Sequence, residues 1–276
     1  MENRYAFGPN EVASMSTEQL RRNFLVPNLF CPGEIKLVYT HQDRVILGGV
    51  SPMPGEKLTL EAPPELRADH FLERREAAVI CIAGHGAISV DGVDYDMPKE
   101  ACLYLGRGTS SIAFQTVGDD VARFYLFSAP AHTNHPLHHA LPGQGDVRHL
   151  GDSSHANQRD LNRIIIPETV PTCQIEMGLT RLVDGSLWNT MPAHTHERRM
   201  ECYLYIDLGE DDRVVHLMGQ PQESRHIIVA NEQAVIAPDW SLHAGVGTRN
   251  YAFIWAMAGE NQDFDDMDAV PISTIR

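Results

Sequence analysis

The run CYLYIDLGEDDRVVHLMGQPQESRHIIVANEQAVIAP, Cys202 to Pro238, decides the fold. It breaks into four short pieces, CYLYIDLG (202–209), RVVHLMG (213–219), HIIVAN (226–231) and QAVIAP (233–238), with Gly, Pro, Asp and Asn at the breaks. Each piece is rich in the β-branched and aromatic residues that suit a pleated surface. Working outward, the same texture recurs in IKLVYT (35–40), RVILGGV (44–50), AAVICIAG (77–84), GAISVDG (86–92), CLYLG (102–106) and ARFYLFSA (122–129), and again in NRIIIP (162–167), CQIEMGLTRL (173–182) and YAFIWAMAG (251–259). Short strands at near-regular spacing predict an all-β sandwich or barrel. One short helix is expected in STEQLRRNFLVPNLF (16–30): Ser16 is followed three residues later by Gln19, the capping-box spacing, and then come Leu20, Phe24 and Leu25.

Composition narrows the function classes. The 276 residues are 43% hydrophobic, enough for a sizeable core. With 22 basic against 37 acidic residues the formal net charge is −15. Nucleic acid and anionic membranes both demand the opposite sign, so neither is an expected partner. A small anionic substrate stays possible, because a few arginines can reverse the field inside a pocket. Five cysteines (Cys31, Cys81, Cys102, Cys173, Cys202) form no C-x-x-C pair and are odd in number, against a disulfide scaffold or a thiolate zinc site. The first twenty residues hold no signal-like apolar core, and no apolar run approaches a membrane span. The expected setting is reducing and cytoplasmic.

The chain also reads as two copies. HFLERRE (70–76) lines up with HTHERRM (194–200) at a constant offset, each ahead of a strand-rich run. Between the halves, residues 129–160 are rich in Gly, Pro, His and polar residues, and strand signals vanish. This segment is taken as the connection, with domains over 1–145 and 146–276. Its histidines, His132, His135, His138 and His139, read as a solvated loop.

The second copy holds a metal-like constellation. On a strand His194 and His196 project to one face. Glu201 has the wrong parity for that face, and a turn through ERRM brings it in at the start of the next strand. In AVIAPDWSLHAGVG, His243 opens another strand after a Pro-Asp turn. A His-x-His pair arises easily by accident among 14 histidines. Three imidazoles and one carboxylate are a sounder set, suited to Zn²⁺, Mn²⁺ or Fe²⁺.

Those motifs are similar to the paired metal motifs of the cupin superfamily. More narrowly, MPAHTHERRMECYLY, FLERRE, APAHT and the long block from Met218 to Asp268 resemble the 5-keto-4-deoxyuronate isomerase family, over nearly the whole chain. The resemblance implies a tandem cupin of two jelly-roll β-barrels with a short N-terminal helix, and a homohexamer. It implies zinc on His194, His196, Glu201 and His243. It also implies a ketol-isomerase of pectin and uronate catabolism that interconverts 5-dehydro-4-deoxy-D-glucuronate and 3-deoxy-D-glycero-2,5-hexodiulosonate through an enediolate. At the offset that superimposes the two copies, His70 meets His194, but Leu72 meets His196 and Ala77 meets Glu201, so the first barrel is expected to hold no metal.

Such a reaction needs a Lewis acid beside the substrate oxygens and a base that carries a proton between neighbouring carbons. For the base the candidates are Glu197, Glu201, Glu223, Tyr203 and Tyr205, with Glu197 and Glu201 preferred. Arg198, Arg199, Arg225 and His226 are the candidates for the uronate carboxylate, which suits the planar guanidinium fork. An Fe²⁺ dioxygenase and a non-catalytic sugar-binding protein are the competing readings of the same ligand set.

Overall fold

The computed structural model describes residues 1–260 and 263–276, and strands make up nearly half of it, with few helices. The expected helix runs Thr17–Phe24. The Ser16 hydroxyl accepts the Gln19 N–H at 3.3 Å, and the Gln19 side chain accepts the Ser16 N–H at 2.8 Å. Leu20 and Phe24 face inward and are buried. A one-turn helix, Pro9–Val12, precedes it.

Two compact units form, one from residues 1–3, 29–145 and 164–176, the other from 4–28, 146–163 and 177–276. A single cut after Gly145 therefore leaves two segments in the wrong half. Residues 4–28 go with the second unit, where Leu25–Val26 pairs as an edge strand with Gln233–Ala237. Residues 164–176 go with the first, where the buried Glu76 carboxylate accepts the N–H groups of Cys173, Gln174 and Ile175 at 2.8, 2.8 and 3.0 Å.

The first unit has a seven-stranded sheet in the order Glu2–Arg4, Glu34–Thr40, Ile46–Ser51, Arg123–Pro130, Arg75–Ala83, Cys102–Leu105, His138–Ala140. Its four-stranded sheet runs Lys57–Thr59, Ile112–Thr116, His85–Val90, Val93–Pro98. The second unit repeats this plan. Its seven-stranded sheet runs Asp146–Leu150, Arg159–Ile165, Glu176–Leu182, Ala252–Gly259, Arg199–Ile206, Gln233–Ala237, Leu25–Val26. Its second sheet runs Asp268–Ala269, Trp188–Thr195, His243–Gly247, Val214–Gln220, Glu223–Val229. Apart from the edge strands, the order of strands along the chain is the same in both units, the signature of one plan used twice.

What differs is the filling. In the first unit Ala77 pairs with Leu105 and Ser128, the position that Glu201 takes in the second by pairing with Ala237 and Met257. Along that strand Ala77, Val79 and Cys81 join Ile88, Phe114 and Leu126 in one apolar core. The matching face in the second unit carries Glu201, Tyr203 and Tyr205, and the neighbouring strands bury His216 and His243. Hydrocarbon fills one interior, and titratable groups line the other. His70 does not reach the place of His194: it lies in a bend ahead of the strand Arg75–Ala83.

The supposed connection is more structured than its composition suggests. His138–Ala140 pairs with Cys102–Leu105. Asp146–Leu150 forms a hairpin with Arg159–Ile165, with Leu150 opposite Arg159 and Arg148 opposite Leu161. Among the described residues no helix is long and apolar enough to cross a membrane.

Candidate metal centre

Three strands and one turn assemble the cluster. His194 lies near the end of Trp188–Thr195, directly opposite His243 at the start of His243–Gly247. The chain then leaves the strand at His196 and turns, and the Arg199 N–H closes that turn on the His196 carbonyl at 3.1 Å. The next strand begins at Arg199, so Glu201 is its third residue and faces the same point. The turn resolves the parity mismatch that a straight strand would have imposed.

One ligand atom from each of His194, His196, Glu201 and His243 lies within 4.8 Å of the others. Nε2 of His194 stands 3.0 Å from Nε2 of His243. Glu201 Oε2 is 3.2 Å from Nε2 of His196 and 3.0 Å from Nε2 of His243. Ligand bonds of about 2.0–2.1 Å would set neighbouring ligand atoms about 3.3 Å apart around a tetrahedral ion. The tautomers agree with that use. Nδ1 of His196 donates to the Arg199 carbonyl at 2.8 Å, and Nδ1 of His243 to the Ser241 carbonyl at 3.2 Å. Those carbonyls assign the ring protons, so both Nε2 lone pairs point at the carboxylate. Two imidazole lone pairs and a carboxylate converging in a buried place are relieved by a cation, so the donor set fits a divalent metal.

Electrostatics favours the metal-ready protonation state. Burial, reinforced by the field of His243, holds the His194 imidazole well below its ordinary pKa. Burial by itself would raise the Glu201 carboxyl, but His243 and His196 in their protonated form bring it well below the usual carboxylate range, and a cation on the same atoms would act in the same direction. Burial followed by the Glu201 charge pushes the Tyr203 phenol well above its ordinary value, so it stays protonated. Deeper in the unit, His216 is buried with Nδ1 2.8 Å from the Tyr205 hydroxyl. Burial first, and then His243, lower the His216 pKa to about 3.

The cluster opens onto a cavity of about 330 Å³, within the range of small-molecule sites. His194 and Glu201 contribute to its lining; Tyr203, Phe253, Trp255, Met257 and Phe264 form apolar and aromatic walls; Thr190, Arg148 and Arg159 add polar groups. Thr190 holds φ at 47°, a left-handed conformation rare for a β-branched residue.

Several sequence candidates lie elsewhere. Glu197 sits exposed in the turn and does not line the cavity, because the turn that brings Glu201 in carries Glu197 out. Glu223 is exposed and paired with Arg225 at 3.0 Å, and Tyr205 is buried against His216. Of the carboxylate candidates, Arg198 pairs with Asp266 and Asp268 at 2.7 and 3.0 Å. Arg199 is fully buried and donates to the carbonyls of Asp263, Phe264 and Asp266. Arg225 is tied to the Ala13 carbonyl, and His226 is exposed. None of the four lines the cavity. The arginines that do are Arg148 and Arg159, hidden in the segment whose polarity concealed its strands. A faint signal was there: in DVRHL and in RDLNR, arginine and leucine sit two residues apart, the spacing of one strand face.

Comparison with known proteins gives a consistent picture. The KduI/IolB family model matches residues 24–272. A protein of Kineococcus radiotolerans named 4-deoxy-L-threo-5-hexosulose-uronate ketol-isomerase is 52% identical over 280 residues, covering 100% of both chains. One of the same name from Bacillus pumilus is 49% identical over 276 residues, again over 100% of both. Among solved structures, an IolB-like protein of Salmonella typhimurium superposes with a TM-score of 0.71 at 17% identity, over 90% of this chain and 97% of that one, a likeness of fold alone.

Proposed function

The chain belongs to the KduI/IolB family, and from that membership we propose that it is a metal-dependent ketol-isomerase interconverting 5-dehydro-4-deoxy-D-glucuronate and 3-deoxy-D-glycero-2,5-hexodiulosonate. The observation that carries the assignment is the identity of 52%, along the full length of both chains, with a relative named for that activity. The cavity fits it: a ligand set for a Lewis acid, a protonated phenol and apolar walls stand in one place. We take the metal to be zinc, one per chain, on His194, His196, Glu201 and His243. The tandem-cupin description, a cytoplasmic role in pectin and uronate breakdown, and assembly into a homohexamer belong to the same proposal.

The reaction moves a carbonyl from C1 to C2 of the sugar acid. A proton leaves C2 and returns to C1, the hydroxyl proton moves from O2 to O1, and no redox partner is consumed. When bound, the divalent cation supplies Lewis acidity toward the oxygens of those two carbons. The side chains do the rest. Tyr203, kept protonated beside Glu201, donates a hydrogen bond to the substrate oxygen that gains charge. Glu201, which offers Oε2 to the metal, lines the cavity, and its other oxygen, Oε1, carries the proton between carbons. Phe253, Trp255, Met257 and Phe264 exclude water.

Metal analysis and anaerobic turnover test this together. About one zinc per chain, with conversion of the deoxyuronate seen by NMR without oxygen and lost in His194→Ala, is the expected result. Iron with turnover only in oxygen would overturn it in favour of a dioxygenase; metal without turnover would leave a binding protein.

A further inference from the structure

We propose that Arg159 is the carboxylate subsite of this cavity, receiving the acid end of the sugar while the reacting carbons lie at His194 and Glu201. The inference rests on the functional reading above and adds where selectivity for an acid arises. It begins with the hairpin Asp146–Leu150 and Arg159–Ile165, in which Arg148, Leu150, Arg159 and Leu161 all turn to the cavity.

Three arginines share this face, and two already have carboxylates. Arg163 is bound to Asp146. Arg148 lies 3.4 Å from Asp146 and 3.7 Å from Asp265. Arg159 is different: it donates to the Asn157 carbonyl at 2.8 Å, and among the described residues it has no carboxylate partner. Burial acts on it enough to pull its pKa below the ordinary arginine value. A guanidinium has five N–H donors, so most of this one's capacity is unspent. A half-buried cation without a counter-charge is costly, and a ligand that brings the charge removes the cost.

Its position is held firmly. The Asn157 side chain donates to the Met191 carbonyl at 3.3 Å, in the strand that carries His194. The N–H groups of Leu187 and Trp188 both reach the Ala156 carbonyl, at 2.8 and 3.0 Å. The turn ahead of Arg159 is thus fastened to the strand that supplies a metal ligand. In the sugar acid the carboxylate is C6 and the reacting pair is C1 and C2, so the two ends need two anchors in one cavity. A planar fork facing a carboxylate, with two parallel hydrogen bonds, is the arrangement arginine favours over lysine.

The test uses metal-loaded wild-type protein, Arg159→Gln and Arg159→Lys. Steady-state kinetics on 5-dehydro-4-deoxy-D-glucuronate are paired with calorimetric titration of D-glucuronate and of D-glucose, its neutral counterpart. Arg159→Gln is expected to raise KM about 100-fold with a much smaller change in kcat, at unchanged metal content. D-glucuronate binding should weaken in parallel and D-glucose binding should not, and Arg159→Lys should recover part of both losses. A KM and a D-glucuronate affinity within about twofold of wild type would overturn the assignment, as would equal weakening toward both sugars or wild-type protein indifferent to D-glucuronate. If wild-type protein binds the acid through Arg159 but turns over no deoxyuronate, the subsite stands and the isomerase reading falls.

Discussion

His216 makes the second unit sensitive to acid in a way that can be measured cleanly. Its ring is fully buried, Nδ1 contacts the Tyr205 hydroxyl, and among the described residues Nε2 has no hydrogen-bond partner. Burial lowers its pKa to about 3, whereas in the unfolded chain it titrates near 6.5. Between those values the unfolded state binds a proton that the folded state refuses. Stability from this group is therefore complete above pH 6.5 and drains away as pH falls toward 3. Each pH unit below 6.5 is worth 1.36 kcal/mol, so by pH 5 the loss is about 2 kcal/mol. The perturbation is His216→Gln, which removes the titration and leaves Tyr205 a polar neighbour. All three tryptophans, Trp188, Trp240 and Trp255, belong to the second unit, so their fluorescence in urea reports its unfolding. With both proteins at one zinc concentration, protonation of the metal ligands cancels in the comparison. Wild type should lose about 2 kcal/mol more than the variant between pH 7 and pH 5. Parallel stability curves over that range would refute the assignment of His216 as a buried neutral imidazole.

Three further outcomes are expected. Glu201→Gln keeps the shape of the cluster but removes its negative charge, and should weaken zinc affinity by about 100-fold or more in a chelator competition. Arg199→Met leaves the carbonyls of Asp263, Phe264 and Asp266 without their donor; a loss of about 2–4 kcal/mol in urea unfolding is expected, together with a raised KM, because Phe264, Asp265 and Met267 wall the cavity. Glu76→Gln faces an amide NH₂ toward a site that supplies donors, the Tyr104 hydroxyl at 2.6 Å and three backbone N–H groups. It should cost about 2–4 kcal/mol and speed hydrogen exchange at Cys173–Ile175, while turnover per folded molecule holds; unchanged exchange there would remove Glu76 from that role.

Most strands were legible because short runs of β-branched and aromatic residues are cut by Gly, Pro, Asp and Asn at the turns. The ligands were legible for a second reason: a metal needs several side chains of restricted type, and HTHERRME packs three of them around one turn. The hairpin at 146–165 was not. Its first strand, DVRHL, exposes Val147 and turns Arg148 and Leu150 to a cavity, so it lacks the hydrophobic face that marks an ordinary strand. The same blindness moved the carboxylate candidates to Arg198 and Arg199, which are near the ligands in sequence. Proximity along the chain says nothing about direction, and one turn sent Arg198 to surface aspartates and Arg199 into backbone carbonyls.

The repeated strand order with two different fillings separates what selection can see. In the first unit the interior is Ala77, Val79, Cys81, Ile88 and Phe114, where a substitution changes packing and little else, and its effect is felt as the amount of protein that accumulates. In the second, Glu201, Tyr203 and His243 occupy the corresponding interior, and a substitution there can leave abundance intact while abolishing catalysis. A deep mutational scan scored once for cellular level and once for growth on the sugar acid should thus divide along the duplication, with abundance-limited alleles concentrated in one copy and activity-limited alleles in the other.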